Sequence, residues 1–314
     1  MYVDILNKNS LSTEDVLGLK IKNDFSVKLK ELDTDEIIKK TVYLDKERVI
    51  FMFNLIEKVY GNIFKGNVLE LGSGSGFLTA NLSKNNQINS VSSLEIVEGY
   101  VKNIQPKIVE KYGHSEKIKY YVGSFNDLKE INDNEFDLVF EYDSFHHSSD
   151  IQKTFNESFK KLKKGGHIIC IDRIQPDRMS DEIKENKLNI RYNDEFFKKH
   201  GIEKIENLSR RDNGEHEFRE NEWTGFAKRA GFENISVTKF QRNTLKNSIK
   251  SIFSYLPYNL IKSTNLRYYS GQPINKIFSS FFNNKPSPNN KNEYIGCINK
   301  SQFHKSIHVL YGEK

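Results

Sequence analysis

The chain has 314 residues, of which 37% are hydrophobic and 12% aromatic, so it can bury a large core, and its formal net charge of +6 is mild for this size. No stretch approaches the roughly 20 apolar residues that would span a bilayer. The first 15 residues lack the basic start and apolar core of a signal peptide, which leads us to expect a soluble, cytoplasmic protein. Cys170 and Cys297 lie far apart and lack metal-ligand spacing, so neither a disulfide framework nor a zinc site is expected.

The first sixty residues are predicted to form a helical lead-in. Val49, Met52, Phe53 and Ile56 are predicted to fall on one face of a helix, and Gly61 is a candidate for its stop. We therefore treat residues 1–60 as a unit that precedes the main domain.

From residue 67 onward, short apolar runs alternate with helical patterns. The runs are NVLELG, SVSSLEI, IKYYVG, FDLVFEY and HIICID, followed later by NISVTKF and SIHVLYG. Helices are predicted between them at residues 77–84, 97–112, 125–131 and 151–163, the last ending in a basic turn with glycine caps, KKGG. Residues 173–219 read as helical excursions, and ENEWTGFAKRAGF as a short helix that ends at Gly231. Strands separated by helices predict parallel βαβ units and an open, doubly wound α/β sheet.

The segment NVLELGSGSGFLT, residues 67–79, carries three glycines on alternate positions after an apolar run that ends in an acid. A dinucleotide site would need a glycine at position 77, where this chain has Phe77. With the strands around it, the segment resembles the first motif of the class I S-adenosylmethionine-dependent methyltransferases. The resemblance covers about residues 65–240 and the final strand. It implies a mostly parallel seven-stranded sheet and S-adenosylmethionine as cofactor, here with an N-terminal helical extension and a helical insertion before the last strand.

The resemblance also implies a set of cofactor-binding residues. In the family an acid ends the second strand and binds both ribose hydroxyls, and here that position is Glu95. Ser124 stands where the family often has an Asp for the adenine amine, and Phe125 could pack on the adenine. Asp127 is an alternative that suits a helix cap equally well. By the same resemblance, Glu70, Gly72, Ser73 and Gly74 would surround the methionine and ribose part. Gly76 completes the glycine motif, and Glu141 would lie near the methionine amine.

The fourth strand leads into two histidines, in FEYDSFHHSSD. This segment lacks the motifs of adenine-amine and cytosine-carbon enzymes and resembles the family's small-molecule methyltransferases, in which similar segments end near the transferring methyl. His146 and His147 are therefore candidate bases, with helix capping or packing beneath the cofactor as alternatives. His216 is a third candidate because it stands between two acids, which favour its protonated form. Its alternative is a solvated helix start.

Asp143 and Asp172 stand at predicted strand ends, and acids at such positions resemble those of the metal-dependent O-methyltransferases. Those enzymes usually have a second Asp or Asn after the fifth strand, whereas here Arg173 follows Asp172. No metal is therefore predicted.

Residues 241–305 hold ten Lys or Arg against the single acid Glu293, a charge of about +9. We predict that residues 241–303 form a basic, aromatic insertion, and that residues 61–240 with 304–314 form the methyltransferase domain. The insertion is a candidate lid for an anionic or phosphorylated acceptor. Such an acceptor could be a nucleotide sugar or a lipid-linked intermediate, and the latter would bring peripheral membrane contact. The alternatives are a homodimer contact and a structural helical pair that buries its aromatic residues.

The predicted function is methylation of a small molecule, with an oxygen of a sugar, sugar nucleotide or specialised metabolite favoured as the acceptor. The alternative is an RNA-binding protein or RNA methyltransferase that uses the basic segment. It is less favoured, because no recognisable RNA-binding domain accompanies the fold.

Overall fold

The computed structural model describes residues 2–7, 11, 13–41, 46–240 and 307–314. The predicted insertion at residues 241–303 lies outside the described residues, so its role as a lid stays a prediction. The strands are β1 (Tyr2–Asp4), β2 (Gly66–Leu71), β3 (Ile88–Glu95), β4 (Ile118–Val122), β5 (Phe136–Tyr142), β6 (Leu162–Asp172), β7 (Ile174–Gln175), β8 (Phe218–Arg219), β9 (Glu233–Phe240) and β10 (Ile307–Glu313). The α-helices are α1 (Thr13–Lys30), α2 (Thr34–Thr41), α3 (Lys46–Tyr60), α4 (Phe77–Ser83), α5 (Gln105–Tyr112), α6 (Ile151–Lys161), α7 (Asp181–Leu188), α8 (Asp194–His200) and α9 (Glu220–Ala230).

Eight of the described strands form one sheet in the order β1-β4-β3-β2-β5-β6-β10-β9. The pairs from β1 to β6 are parallel, and β10 is antiparallel to both β6 and β9. The predicted doubly wound, mostly parallel fold is thereby confirmed. The sheet has one strand more than expected, because residues at the start of the lead-in extend along the edge strand β4, with Val3 beside Tyr121.

The sheet is covered by helices on both faces, and its strands are therefore apolar on both sides. Alternate residues of each strand point to opposite faces. One face packs against α3, α4 and α5, and its strand residues include Val68, Leu138, Phe140 and Ile169. The other packs against α6 and α9, and its strand residues include Leu69, Val139, Ile168 and Cys170. Each fully buried side chain of this size contributes roughly 1.5–3 kcal/mol to folding.

The described residues of the lead-in form three helices, α1, α2 and α3, besides strand β1. Val49, Met52 and Ile56 are buried on one face of α3, as their spacing predicts, and Phe53 is partly buried and packs against the same core. The helix ends at Tyr60, and Gly61 follows with a φ of 82°. None of the helices in the described part of the chain is long and apolar enough to cross a lipid bilayer.

Two local predictions were wrong. Residues 125–131 form turns rather than a helix. The side chain of Asn126 accepts a hydrogen bond from Ser148 Oγ at 2.8 Å, and this tie to the segment before α6 competes with a short helix, whose nucleation is costly. The KKGG segment lies in β6, not in a helix cap, because Gly165 N donates to the carbonyl of Lys314 at 2.6 Å.

Candidate cofactor cleft and base

A Gly-rich loop joins the end of β2 to α4. Gly72 has a φ of 73°, and a Cβ there would lie 2.3 Å from Ser144 Oγ, so only glycine fits this approach. Gly74 has a φ of 53°, and a Cβ there would meet nothing within 4 Å. Gly76 precedes α4, and its missing Cβ leaves room for Gln105, whose Cγ would lie 2.9 Å away. The first and third glycines thus allow close packing, and the second leaves open space beside the loop.

Glu95 ends β3 next to this loop. Its Oε2 accepts a hydrogen bond from Gly74 N at 2.8 Å, and its Oε1 accepts one from Val97 N at 3.0 Å. Two backbone donors therefore fix a carboxylate at the strand end, where the sequence predicts the acceptor for ribose hydroxyls.

A cleft opens at the carboxyl edge of the parallel strands, which is where ligands bind in sheets of this type. Gly72, Glu95, Ser124 and Phe125 line it together. The Phe125 ring packs against Phe145, with the centroids 5.4 Å apart. Opposite parts of the lining come from α1, at Gly18, Leu19 and Lys22, from residues 213–214, and from His147. Asp127, the alternative to Ser124, does not line the cleft and lies 3.7 Å from Lys129 Nζ.

The side chains of Glu70 and Ser73 turn into the protein instead of lining the cleft. Thr79 Oγ1 donates to Glu70 Oε2 at 2.6 Å, and burial raises the pKa of Glu70 to about 8. Ser73 Oγ accepts hydrogen bonds from Ser93 Oγ at 2.8 Å and Gln105 Nε2 at 2.9 Å. Both residues therefore support the Gly-rich loop from beneath.

Glu141 is also buried, at the end of β5. Its Oε1 accepts hydrogen bonds from the backbone N–H groups of Ser144 and Phe145, and its Oε2 has no partner among the described residues. Burial, together with the charge of Asp172, raises the pKa of Glu141 well above its ordinary value. In this structure Glu141 organises the turn after β5 and does not line the cleft.

His146 is buried and belongs to the packing beneath the cleft. Its Nδ1 lies 2.7 Å from Asp172 Oδ1, and its backbone N donates to Asp172 Oδ2 at 3.0 Å. Burial opposes ionisation of Asp172, but the charge and hydrogen bonds of His146 hold the pKa of Asp172 below its ordinary value. The pair thus joins the ends of β5 and β6.

His147 lines the cleft, and its ring lies 4.3 Å from the His146 ring, centroid to centroid. Its Nδ1 is 3.2 Å from the Gly214 carbonyl oxygen. A carbonyl only accepts, so Nδ1 carries the hydrogen, and Nε2 keeps its lone pair. Burial holds the pKa of His147 well below its ordinary value, with further lowering by the charges of Lys22, His146 and Arg173. His147 is therefore neutral at neutral pH.

His216 does not line the cleft. Its backbone N and its Nδ1 both donate to the His146 carbonyl, at 2.8 Å and 3.1 Å, so it supports the histidine segment from behind. Its flanking acids bind cations instead of the imidazole: Glu215 binds Arg173 and Arg210, and Glu217 binds Lys187 and Arg210.

The ligand atoms of Asp143, His146 and Asp172 all lie within 4.8 Å of one another, a spacing that could hold a metal ion. However, Arg173 Nε donates to Asp143 Oδ1 at 3.1 Å, and Asp172 already pairs with His146. Charges of the protein itself thus balance these carboxylates, and the group fits a metal poorly.

Sequence reasoning missed two parts of the cleft, α1 and residues 213–214. Both are distant in sequence from the glycine motif and carry no motif of their own. One signal was available, since Gly18 lies inside a helix, where glycine often marks a close approach. A Cβ at Gly18 would lie 3.2 Å from the Asn213 carbonyl oxygen.

Part of this chain is similar in sequence to known proteins. Residues 69–170, 102 of the 314, match the family model described as "Methyltransferase domain". The sarcosine/dimethylglycine N-methyltransferase of Aphanothece halophytica is 29% identical over 119 residues, 38% of this chain and 42% of that protein. The demethylmenaquinone methyltransferase of Bacteroides fragilis is 27% identical over 111 residues, 35% of this chain and 44% of that protein. The chain thus spans less than half the length of these curated relatives.

A solved structure with the same fold is a phosphoethanolamine N-methyltransferase 2 of Haemonchus contortus, in complex with phosphomonomethylethanolamine and S-adenosylhomocysteine. The TM-score is 0.51 at 13% identity, and the match covers 98% of this chain and 61% of that one. At this identity the likeness shows the fold.

Proposed function

We propose that this chain, which carries a class I S-adenosylmethionine-dependent methyltransferase domain matched at residues 69–170, transfers the methyl group of S-adenosylmethionine to a small molecule. The sequence analysis predicted this methyltransferase domain and S-adenosylmethionine as its cofactor. The observation that carries the proposal is that one cleft brings together the Gly-rich loop, the fixed carboxylate of Glu95 and the neutral imidazole of His147.

In this proposal the cofactor lies along the strand ends. Glu95 accepts hydrogen bonds from the ribose hydroxyls, Phe125 packs on the adenine, and Ser124 bonds to its edge. The methionine end passes the open space at Gly74. Bound there, S-adenosylmethionine supplies an activated methyl group, so that the protein mainly has to orient the nucleophile, which contributes up to about 7–11 kcal/mol.

His147 is proposed as the general base. Its Nε2 lone pair is available because Nδ1 donates to Gly214, and its low pKa keeps the ring neutral near pH 7. His146 and His216 are proposed as positioning residues, since one pairs with Asp172 and the other bonds to the His146 carbonyl.

The acceptor is proposed to be a small molecule with a hydroxyl group, as in a sugar, a sugar nucleotide or a specialised metabolite. A hydroxyl must lose its proton during transfer and therefore benefits from a neutral base, whereas a neutral amine already carries its attacking lone pair. The relatives named above are methyltransferases for sarcosine or dimethylglycine and for demethylmenaquinone, so amines and carbon acids belong in the test panel.

The proposal is tested by labelled-methyl transfer from S-adenosylmethionine to extracts of the source organism, with intact-mass identification of the labelled product. Glu95→Ala tests the cofactor site, because it removes the proposed acceptor for the ribose hydroxyls from this cleft. Each hydrogen bond to a charged group is worth about 1.5–3 kcal/mol, so calorimetry should show at least about tenfold weaker cofactor binding.

Absence of cofactor binding to the wild-type protein would overturn the proposal. An unchanged affinity in Glu95→Ala would instead remove only the assignment of the ribose site. Label recovered in RNA rather than in small molecules would favour the alternative function.

A further inference from the structure

Helix α1 brings one cation to the cofactor cleft. Among the described residues that line the cleft, Lys22 is the one Lys or Arg, and Glu95 is the one acid. Gly18, Lys22 and Ser26 are spaced by four residues, so they follow one face of the helix. This face was not assigned to the site from the sequence, because α1 lies about fifty residues before the glycine motif and carries no motif of its own.

The position of Lys22 is fixed by contacts on either side of it. One turn before it, Gly18 packs so closely on Asn213 that a Cβ would lie 3.2 Å from the Asn213 carbonyl oxygen. One turn after it, Ser26 packs on Gly99, where a Cβ would lie 2.1 Å from Ser26 Oγ. At the helix end, Lys107 Nζ donates to the Lys30 carbonyl at 2.8 Å. Lys22 is therefore presented to the cleft by a docked helix.

The Gly-rich loop has few backbone N–H groups left to donate to an anion. Gly72 N and Ser73 N both donate to the Leu94 carbonyl, at 2.9 Å and 3.0 Å. Gly74 N donates to Glu95, and Gly76 N donates to the Ser73 carbonyl. Four of the five backbone N–H groups of residues 72–76 are thus already used within the protein. A carboxylate bound above this loop needs a cation from elsewhere in the cleft.

We propose that Lys22 binds the carboxylate group of S-adenosylmethionine, which makes α1 part of the cofactor site. This proposal rests on the proposed function. An ammonium donor pairs with a carboxylate through a charge-assisted hydrogen bond, which is stronger than a neutral one. Lys22 also lowers the pKa of His147, which agrees with its closeness to the methyl-transfer end of the cleft. A carboxylate bound at Lys22 offsets the charge of this lysine and so reduces the part of the pKa lowering at His147 that is due to Lys22.

The test compares two ligands that differ only in the carboxylate, S-adenosylmethionine and its decarboxylated form, by calorimetry on the full chain. Lys22→Met should weaken S-adenosylmethionine binding by about tenfold or more and leave binding of the decarboxylated form nearly unchanged. Lys22→Arg should retain most of the affinity. Lys20→Met is the matched control, because Lys20 is an exposed lysine on the same helix. This variant should bind both ligands with the affinity of the wild type.

Equal weakening of both ligands by Lys22→Met would overturn the proposal, since the lysine would then act only through the docking of α1. So would unchanged affinity for both ligands, or an equal loss in Lys20→Met. A wild-type protein that binds neither ligand would instead contradict the proposed function itself. The thermal midpoint of Lys22→Met is measured in parallel, and the comparison of two ligands on one variant stays valid if that midpoint falls.

Discussion

The proposed role of His147 as a base depends on contacts to distant parts of the chain. The Gly214 carbonyl sets its tautomer, and burial together with Lys22 sets its charge. His147→Asn keeps an N–H near the Nδ1 position but removes the basic nitrogen. We expect turnover to fall by about 10²- to 10⁴-fold with cofactor affinity nearly intact. His216→Asn is the control, because His216 also bonds to a carbonyl but does not line the cleft.

Greater loss of turnover in His216→Asn than in His147→Asn would reverse the assignment of the base. Near-normal turnover in both variants would mean that another group or solvent takes the proton.

The pH profile provides a second prediction for His147. If His147 is the base, as proposed, the neutral ring is the active form, and its pKa lies well below the ordinary value of 6.5. The base therefore stays competent as the pH falls through 6.5, and the acid limb of kcat/KM should lie below that pH. Removing the charge in Lys22→Met should move this limb toward higher pH. An acid limb at or above 6.5 in the wild type would contradict the assignment.

Glu70 provides a prediction about stability. Burial raises its pKa from 4.5 to about 8, so the folded protein holds a proton that the unfolded chain releases between these values. The free energy of unfolding therefore falls as the pH rises through this window. Glu70→Gln keeps an oxygen acceptor for Thr79 and cannot ionise. In urea unfolding it should be more stable than the wild type at pH 8, by about 2–5 kcal/mol, with the difference vanishing near pH 4.5.

A different result is expected if Glu70 is ionised and contacts the methionine end of the cofactor, to which the family resemblance assigns it. In that case Glu70→Gln would lose cofactor affinity and gain no stability at pH 8.

At the scale of elements, the turn from β2 into α4 depends on a glycine for two separate reasons. Gly72 and Gly165 have nearly the same φ, 73° and 77°, but a Cβ at Gly72 would lie 2.3 Å from Ser144 Oγ, and a Cβ at Gly165 would meet nothing within 4 Å. Gly165→Ala should therefore cost only the backbone term, about 1–2 kcal/mol. Gly72→Ala should cost more and should also abolish cofactor binding, as measured by thermal unfolding and calorimetry. Equal effects of the two substitutions would show that the contact with Ser144 is unimportant.

The central strands β2, β5 and β6 were predictable because they are largely buried and contain continuous apolar runs. The end of helix α9 was predictable because a glycine follows the helical pattern. In the structure this residue, Gly231, caps the helix with a φ of 106°. Residues 125–131 were not, since the helical pattern there is overridden by side-chain bonds from Asn126 to the segment before α6. Strand β1 was missed because three residues carry too little periodicity to be recognised.

Some residues of the candidate site were likewise predictable from the sequence, and others were not. Glu95 was predictable from the motif, because it ends a strand and its spacing from the glycines is set by one βαβ unit. The orientations of Glu70 and Ser73 were not, since a sequence does not show which side of a turn a side chain takes. Lys22 and Asn213 reach the cleft through the packing of α1, a tertiary contact whose one local sign is the glycine Gly18 inside the helix.

At the scale of the whole molecule, both ends of the predicted insertion are anchored at the edge of the sheet that holds the cleft. Asp172, at the carboxyl end of β6, pairs with His308, and Ile307 pairs with Phe240 at the end of β9. The chain between Phe240 and Ile307 therefore leaves and re-enters the sheet at the carboxyl edge. This placement supports the prediction that the basic residues at 241–303 serve an anionic acceptor, although the segment lies outside the described residues.

The lid hypothesis predicts a specific kinetic result. Neutralising Lys262 and Arg267 together, as Lys262→Gln with Arg267→Gln, should raise the KM for an anionic acceptor several-fold, because each lost cation removes a charge-assisted bond. Cofactor affinity and the thermal midpoint should not change. The charge-matched control neutralises Lys40 and Lys58, two exposed lysines of the lead-in. An unchanged acceptor KM, a KM raised equally by the control, or a loss of stability or oligomeric state would assign the segment a structural role. If the segment binds RNA instead, affinity should fall log-linearly with salt, with a smaller slope in the double variant, because fewer counterions are released.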